Sequence, residues 1–185
     1  MERHLSLSEV CQTHIQKYSS KHLDQFISLY KSIWEKDPYR EVFTDTEIKE
    51  TLLKQDAIFL LITGDELHGF IAGYDYAKRE STVKIAGVPF YFSELAIAEN
   101  VRGQGFADFL IKELEKSALI QGFTSMVLRT SNHETNPAFK CYKRNGYMKI
   151  TDQFGRPIQD EVLQRRTNGR VESDIREYYS KQLIQ

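Results

Sequence analysis

The sequence predicts a single α/β domain in which helices flank a mixed, mostly antiparallel sheet. Two compact apolar runs, residues 57–63 and 67–76, are separated by Gly64-Asp65-Glu66, which is typical of an antiparallel hairpin. A third strand-like run, 90–98, continues through a glycine turn into an amphipathic helix and then a further apolar run, 123–130. A strand–helix–strand crossover of this length makes its two strands parallel neighbours.

The first third of the chain is predicted to hold a short strand and two helices. The strand is expected near residues 13–18. From 21 to 34 apolar residues recur at spacings of three and four, which indicates one buried helix face. Asp37-Pro38 ends this helix, because proline lacks an N–H and restricts the residue before it. Thr44-Asp45-Thr46-Glu47, with acid in the first turn, is typical of a helix start, and the second helix runs to Leu53.

The elements after the crossover are shorter. Asn136-Pro137 starts a short helix, and strands are predicted over 147–151 and 162–167. Beyond them the pattern predicts a terminal helix. Its cap would be Ser173, and its apolar face would consist of Ile175, Tyr178, Tyr179 and Leu183.

Length and composition restrict the class of protein. The 185 residues fit one domain, 1–185, with a core over about 12–167 and a C-terminal helical extension over 168–185. No run approaches the ~18 apolar residues of a membrane span, and residues 1–6 lack the apolar stretch of a signal peptide. Two cysteines are too few for a disulfide scaffold, so we expect a reducing, cytoplasmic location. The five histidines lack metal-ligand spacing, so no metal is expected, and a net charge of −1 predicts no nucleic-acid partner.

Charge is unevenly distributed along the chain. Residues 1–101 carry 11 basic and 16 acidic side chains, whereas residues 102–150 carry 8 basic and 4 acidic ones. Solvated surface is the ordinary explanation of such an asymmetry. The functional alternative is that the basic part binds an anion and that the acidic tract 35–56 attracts a cationic substrate.

The glycine turn after residues 90–98 has the build of a phosphate site. Backbone N–H groups at a helix start are unpaired and the helix dipole adds positive potential there. A dinucleotide fingerprint needs a third glycine where Asp108 stands, and its charge would repel phosphate; a phosphate loop of the NTPase kind needs Gly-Lys-Ser/Thr, which is absent. The pattern Arg/Gln-x-x-Gly-x-Gly/Ala is matched by Arg102, Gly105 and Ala107. A plain tight turn that starts a helix is the structural alternative.

A second motif lies over residues 136–147, in the pattern Asn-Pro-Ala-x-x-x-Tyr-x-x-x-Gly-aromatic. With both motifs in this order and a strand between them, the sequence resembles the GCN5-related N-acetyltransferase (GNAT) superfamily. The resemblance covers the fold order from about 12 to 167. Departures are small: Cys141 and Asn145 replace the usual leucines, and Tyr147 replaces the usual phenylalanine.

The resemblance implies the GNAT fold and acetyl transfer from acetyl-CoA to a primary amine of a small molecule or peptide. The amine would attack directly in a ternary complex, without metal. Tyr142 would donate a proton to the CoA sulfur; a core tyrosine is the alternative. The implied cofactor-binding residues are Leu95, Ala96, Ile97 and Asn136 for the pantetheine arm, with Arg102, Gly103, Gln104, Gly105, Phe106 and Ala107 for the pyrophosphate.

The reaction also needs a base, because an alkylamine with a pKa near ~10.4 must lose a proton before it attacks. Glu94 stands inside an otherwise apolar strand. Strict alternation would place it on one face with Phe92 and Ala96, and Leu95 with Ile97 on the other. Family members often hold a general base at this point, which acts directly or through water. A solvent-facing or salt-bridged strand acid is the alternative.

Several further hypotheses concern the acceptor and the mechanism. By resemblance, Asp37-Pro38-Tyr39 would shape the acceptor pocket, and His133 would touch the acceptor or nothing. An acyl-enzyme on Cys141 is not favoured, because on a helix it points about 100° from Tyr142 and no histidine motif pairs with it. A non-catalytic acyl-CoA-binding or sensing module is the alternative function. A homodimer is left open, and no membrane partner is expected.

Overall fold

The computed structural model describes residues 12–36, 40–132, 136 and 138–183. Within these ranges the chain forms four α-helices and eight strands. The helices are α1 (Leu23–Trp34), α2 (Asp45–Leu53), α3 (Phe106–Ile120) and α4 (Ala138–Arg144). The strands are β1 (Thr13–Lys17), β2 (Ala57–Thr63), β3 (Glu66–Asp75), β4 (Pro89–Ile97), β5 (Ser125–Ser131), β6 (Met148–Lys149), β7 (Gln159–Arg165) and β8 (Val171–Gln182).

All eight strands belong to one mixed sheet. Their order is β1-β2-β3-β4-β5-β8-β6, and β7 also pairs with β8. Every pair is antiparallel except β4 with β5, which are parallel and joined by α3. The predicted β2–β3 hairpin and the crossover are therefore confirmed, as is the predicted fold class of a sheet flanked by helices.

The helices cover the two faces of the sheet. On one face, Leu110 and Leu114 of α3 pack in a core with Phe90 of β4 and Met126 of β5. On the other face, α1 and α2 pack on β2 and β3; Phe26 and Phe70 lie at the centre, with ring centroids 4.3 Å apart. Burial of apolar area on both faces contributes most of the free energy of folding, at about 25 cal/mol per Å².

Local sequence explains where two of the helices begin. The Thr44 hydroxyl accepts from the Glu47 N–H at 3.2 Å, and the Glu47 carboxylate accepts from the Thr44 N–H at 2.7 Å, which is a reciprocal cap for α2. Gly105 precedes α3 with φ = 83°, a left-handed conformation that favours glycine. None of the helices in the described ranges has the length and apolar character needed to cross a membrane.

Strands β4 and β5 separate after a short parallel ladder. Only three residue pairs join them, the last being Tyr91 with Val127. From Phe92 onward β4 pairs with β3 alone, and from Leu128 onward β5 pairs with β8. The sheet therefore has a gap between the carboxyl ends of its two parallel strands.

The predicted C-terminal helical extension is wrong. Residues 171–182 form β8, which pairs with β5, β6 and β7 and so lies inside the sheet. Both faces of the sheet are covered at this point: Tyr178 packs beside Tyr91, and Tyr179 packs in the α3 core. Two adjacent buried tyrosines break the alternation of apolar and polar residues that marks a strand with one covered face. Together with Ile175 they have the spacing of an apolar helix face.

Two other predicted strands differ from the structure in their bounds. The run 147–151 contains only the short β6, with an isolated bridge between Thr151 and Pro157. The run 162–167 falls in β7, which begins at Gln159 and ends at Arg165.

We expect Tyr178→Ala to destabilise the fold by about 3–5 kcal/mol, because it empties a fully buried aromatic site in a central strand. The measurement is denaturant unfolding. Val171→Ala, on the same strand but 63% exposed, is the control and should change the free energy of unfolding by less than about 0.5 kcal/mol. Equally small effects of both substitutions would contradict a buried β8.

Candidate functional site

The glycine loop lies at the end of β4. A 3-10 turn, Glu99–Val101, leads into Gly103 (φ = 79°) and Gly105 (φ = 83°). A Cβ atom built on either glycine would meet nothing within 4 Å. Among the described residues, the N–H groups of residues 103–107 have no hydrogen-bond partner. The loop thus presents unpaired donors and the start of α3 to open space, the arrangement that binds anions.

The loop and α4 enclose a cleft of about 370 Å³. Arg102 and Lys140 supply positive charge to its lining, and Arg144 lines it paired with Asp108 at 2.8 Å. The Arg102 Nε donates to the Ile97 carbonyl at 2.9 Å, which holds the guanidinium beside the loop. Of the residues predicted from the motif, the cleft brings together Ile97, Arg102, Gly103, Gly105, Phe106 and Ala107.

Gln104 belongs to the same loop but does not line this cleft. Its Oε1 atom is buried and has no hydrogen-bond partner among the described residues. The described residues also contain no group of three or more side chains able to hold a metal ion.

The end of β4 turns main-chain groups toward the gap in the sheet. The Ala98 N–H donates to the His68 carbonyl at 2.7 Å. Because hydrogen-bonded pairs alternate along an antiparallel ladder, the N–H and C=O groups of Leu95 and Ile97 point away from β3, toward the gap. Ala96 differs from its two neighbours: it pairs with Phe70 and its side chain lies in the α1 core.

The second motif lies on the α3 face of the sheet. Both N–H groups of the Asn136 amide are engaged, with the Thr130 hydroxyl at 2.8 Å and the Ser131 carbonyl at 3.1 Å. Its carbonyl oxygen accepts from the Ala138 N–H at 3.0 Å and so caps α4. These contacts give Asn136 a structural role, and its contact with the cofactor stays a prediction.

Tyr142 is partly buried on the inner side of α4. Its ring meets Phe92 edge to face, with centroids 5.6 Å apart, and Tyr147 at 6.1 Å. Phe92 stands two residues before Glu94 on β4. Tyr142 therefore lies on the α3 face, against the part of β4 that precedes Glu94.

Glu94 lies on the opposite face from Tyr142. The predicted grouping of Phe92 with Glu94 and Ala96 is wrong, because Phe92 packs in the α3 core whereas Ala96 packs in the α1 core. The cause is a β-bulge: the register shifts between Ala72 and Gly73, which leaves Ser93 as the extra residue. The bulge reverses the alternation and turns Glu94 toward α1.

The surroundings of Glu94 favour its protonated form. Burial raises the pKa of Glu94 to about 7; the positive charges of Arg176 and Arg129 oppose this rise, and the nearby Glu41 carboxylate adds to it. A hydrogen bond with the Tyr30 side chain also lowers this pKa. A carboxyl that titrates near neutral pH suits a general base.

Sequence reasoning missed the groups that surround Glu94. Tyr30 falls within the predicted helix 21–34, and Arg176 falls within the predicted terminal helix, which does not form. Glu41 is held by β7: its main chain bridges to Arg166, and its carboxylate accepts from Gln164 Nε2 at 3.3 Å. These residues come from distant parts of the chain, so no local motif unites them.

Three of the seven acidic side chains in the tract 35–56 form ion pairs within the described residues. Asp45 pairs with Lys31, Glu47 with Arg165 and Asp56 with Lys78. The structure therefore gives little support to long-range attraction of a cation by this tract; Glu41 is its member that acts on the pKa of Glu94. The predicted acceptor residues 37–39 and His133 lie outside the described residues.

Cys141 lines the cleft as a poor nucleophile. Burial, followed by the negative charge of Asp108, raises the pKa of the thiol to about 11. The thiolate needed for an acyl-enzyme is therefore scarce at neutral pH. This agrees with the expectation that Cys141 does not form an acyl-enzyme, although the residue is only partly buried.

The sequence matches the Acetyltransferase (GNAT) family over residues 22–147. Ard1 from Thermoplasma volcanium is similar with a TM-score of 0.67 at 14% identity, over 94% of this chain and 99% of that one. The ribosomal-protein-alanine N-acetyltransferase from Brucella melitensis is similar with a TM-score of 0.68 at 12% identity, over 92% of this chain and 99% of that one. Arabidopsis thaliana NAA60 in complex with acetyl-CoA has a TM-score of 0.67 at 17% identity, over 92% of this chain and 98% of that one. At these identities the likenesses show a shared fold. No curated protein matches the sequence.

Proposed function

Because the chain belongs to the acetyltransferase (GNAT) family, we propose that it is an acetyl-CoA-dependent N-acetyltransferase that acts by direct attack of a primary amine. The observation that carries this proposal is the gap between β4 and β5. In this proposal the gap lets the face that holds the glycine-loop cleft and Tyr142 communicate with the face that holds Glu94. Two substrates can therefore meet through the sheet, each approaching from its own side.

The loop side fits acetyl-CoA. Unpaired N–H groups at the start of α3 suit a pyrophosphate, and Arg102 and Lys140 add charge. The main-chain groups of Leu95 and Ile97 are edge donors and acceptors of the kind that an amide-containing arm pairs with. NAA60, which shares the fold, has been solved with acetyl-CoA.

Glu94 and Tyr142 supply the proton transfers in this proposal. Glu94 accepts a proton from the acceptor ammonium, directly or through water, and the neutral nitrogen then attacks the thioester carbonyl. As the carbon–sulfur bond breaks, the Tyr142 hydroxyl donates its proton to the departing thiolate. The nitrogen loses its second proton as the intermediate collapses, and this proton restores the Tyr142 phenol through water. A neutral N-acetyl product and CoA with a free thiol result, and Glu94 releases its proton to solvent. The acceptor is a small-molecule or peptide amine, in keeping with a neighbour that is a ribosomal-protein-alanine N-acetyltransferase.

Thiol release from acetyl-CoA, measured across a panel of small amines and peptides, tests the proposed activity. We expect at least one amine to raise the rate well above that of hydrolysis. Calorimetry of acetyl-CoA binding on the same preparation distinguishes an enzyme from a non-catalytic binding module. Tight acetyl-CoA binding without turnover on any amine would favour an acyl-CoA-binding module.

Gly105→Val should weaken acetyl-CoA binding tenfold or more, about 1.4 kcal/mol, because a branched side chain would occupy the space where the phosphates approach. The measurement is calorimetry. Gly155→Val is a matched control: Gly155 has φ = 77° and open space around its Cβ position, so the backbone strain is similar. Equal affinities of the two folded variants would remove the phosphate-site interpretation of the loop.

Glu94→Gln should lower kcat/KM by roughly 10²–10⁴-fold. It should also abolish the acidic limb of the pH profile of kcat/KM, whose midpoint in the wild type should lie near pH 7. The same substitution should raise the stability of the fold while it lowers activity. The folded-state pKa is about 7 and the ordinary value is 4.5, so the wild type loses stability as pH rises between these values. The glutamine variant lacks that loss and should melt at a higher temperature at pH 8.

The exposed Glu80 provides the control for this pair of measurements. Glu80→Gln should keep both the acidic limb and the wild-type dependence of melting temperature on pH. If Glu94→Gln retains the acidic limb, the limb belongs to the amine or to another group, and Glu94 is not the base.

Tyr142→Phe should lower kcat and kcat/KM together, by about 10²-fold or more, while KM for acetyl-CoA stays nearly constant. A free phenol has a pKa near ~10, so a tyrosine hydroxyl is the kind of acid that is protonated at neutral pH and can donate. Tyr147→Phe is the matched control, because Tyr147 is a buried neighbour on the same face. It should leave kcat unchanged. Full activity in Tyr142→Phe would place the acid elsewhere.

A further inference from the structure

Helix α4, which carries Tyr142, is poorly anchored by apolar packing. It has seven residues, and none of them is buried. Phe139 and Tyr142 make partial contacts with Tyr179 and Phe92 on the sheet. A helix this short has little stability of its own. Its position over the cleft therefore depends on other contacts.

Asn136 ties the start of α4 to β5, and the polar contacts at the other end of the helix converge on one carboxylate, Asp108, in the first turn of α3. Arg144 donates to it from Nη2 at 2.8 Å to each oxygen and from Nε at 3.1 Å. Asn145 Nδ2 donates to Oδ1 at 2.6 Å, and Cys141 Sγ lies 3.7 Å from the same oxygen. Positions 141 and 144 lie on one face of α4, because residues three apart are helical neighbours, and Asn145 follows directly after the helix on the same side.

Two of these partners are the departures from the family pattern noted in the sequence. Cys141 and Asn145 stand where leucines are usual, and both turn to Asp108. Both departures therefore make polar contact with the first turn of α3. Asp108 also lines the cleft, so the attachment lies beside the glycine loop.

We propose that Asp108 is a positioning residue, whose carboxylate fastens α4 to the glycine loop and thereby sets the place of Tyr142. This inference rests on the proposed function for its kinetic consequence but not for its structural one. Tyr142 projects from α4 beside the attached face, so loss of the attachment displaces it without removing any group that would act on the substrate.

Asp108→Asn separates positioning from a general loss of stability. The amide keeps the size of the side chain but loses the charge that holds Arg144. We expect kcat to fall at least about tenfold, since a small displacement of a reacting group is costly. Affinity for acetyl-CoA should stay constant or rise, because a negative charge leaves the cleft and Arg144 is freed. Asp108→Glu, which retains a carboxylate, should recover part of kcat.

Amide hydrogen exchange of the full chain provides a readout that needs no turnover. In Asp108→Asn, residues 138–145 should exchange faster, whereas β3 and the second half of α3 should not change. Arg144→Ala should act in the same direction. Its matched control is Arg156→Ala, which removes an exposed arginine paired with Asp152 at 2.8 Å, far from α4 in sequence. That control should leave both kcat and the exchange of 138–145 unchanged.

Unchanged exchange of 138–145 in Asp108→Asn would overturn the proposal. So would an unchanged kcat, or a fall of kcat and affinity together in step with melting temperature. If the wild type turns over no amine, the proposed function fails, and the exchange comparison alone decides whether Asp108 fastens α4.

Discussion

The early separation of β4 from β5 is the constraint on which the rest of the site depends. Buried main-chain polar groups need partners, and three ladder pairs leave the last part of β4 without a neighbour on one edge. Since the strands are parallel, the gap lies at their carboxyl ends, where ligands bind in open α/β sheets. The chain leaves β4 at the same place, so the glycine loop and the start of α3 stand beside the gap.

The gap also divides the molecule into two chemical sides. On the α3 side, unpaired N–H groups and basic side chains form the proposed site for an anion. On the α1 side, Glu94 lies among Tyr30, Glu41 and Arg176, where burial favours its protonated form. Strand β8 links the sides, because it pairs with β5 beside the gap and carries Arg176 toward Glu94. A C-terminal segment thus belongs to both the sheet and the site.

The features that the sequence predicts well are the local ones. The glycine loop, the crossover and the place of Glu94 in an apolar strand are encoded within short windows of residues. The errors arise where distant packing decides. The bulge at Ser93 depends on pairing with Ala72 and Gly73. It moves Glu94 to the other face of the sheet from the one expected with Phe92, and nothing in the neighbouring sequence indicates this. Tyr178 and Tyr179 are both buried because two faces are covered, and their spacing imitates a helix.

Asp108 shows how a local argument and a tertiary contact combine. Its charge counted against a dinucleotide site, because an isolated carboxylate at a helix start would repel phosphate. In the folded chain Arg144 pairs with it, and hydrogen bonds from Arg144 and Asn145 outweigh the effect of burial and hold its pKa below the ordinary value. The pair is close to neutral, which leaves the positive charges of Arg102 and Lys140 to set the sign of the cleft. An acid in this position is therefore compatible with an anion site, and it gives the cleft a contact that joins α3 to the helix carrying Tyr142.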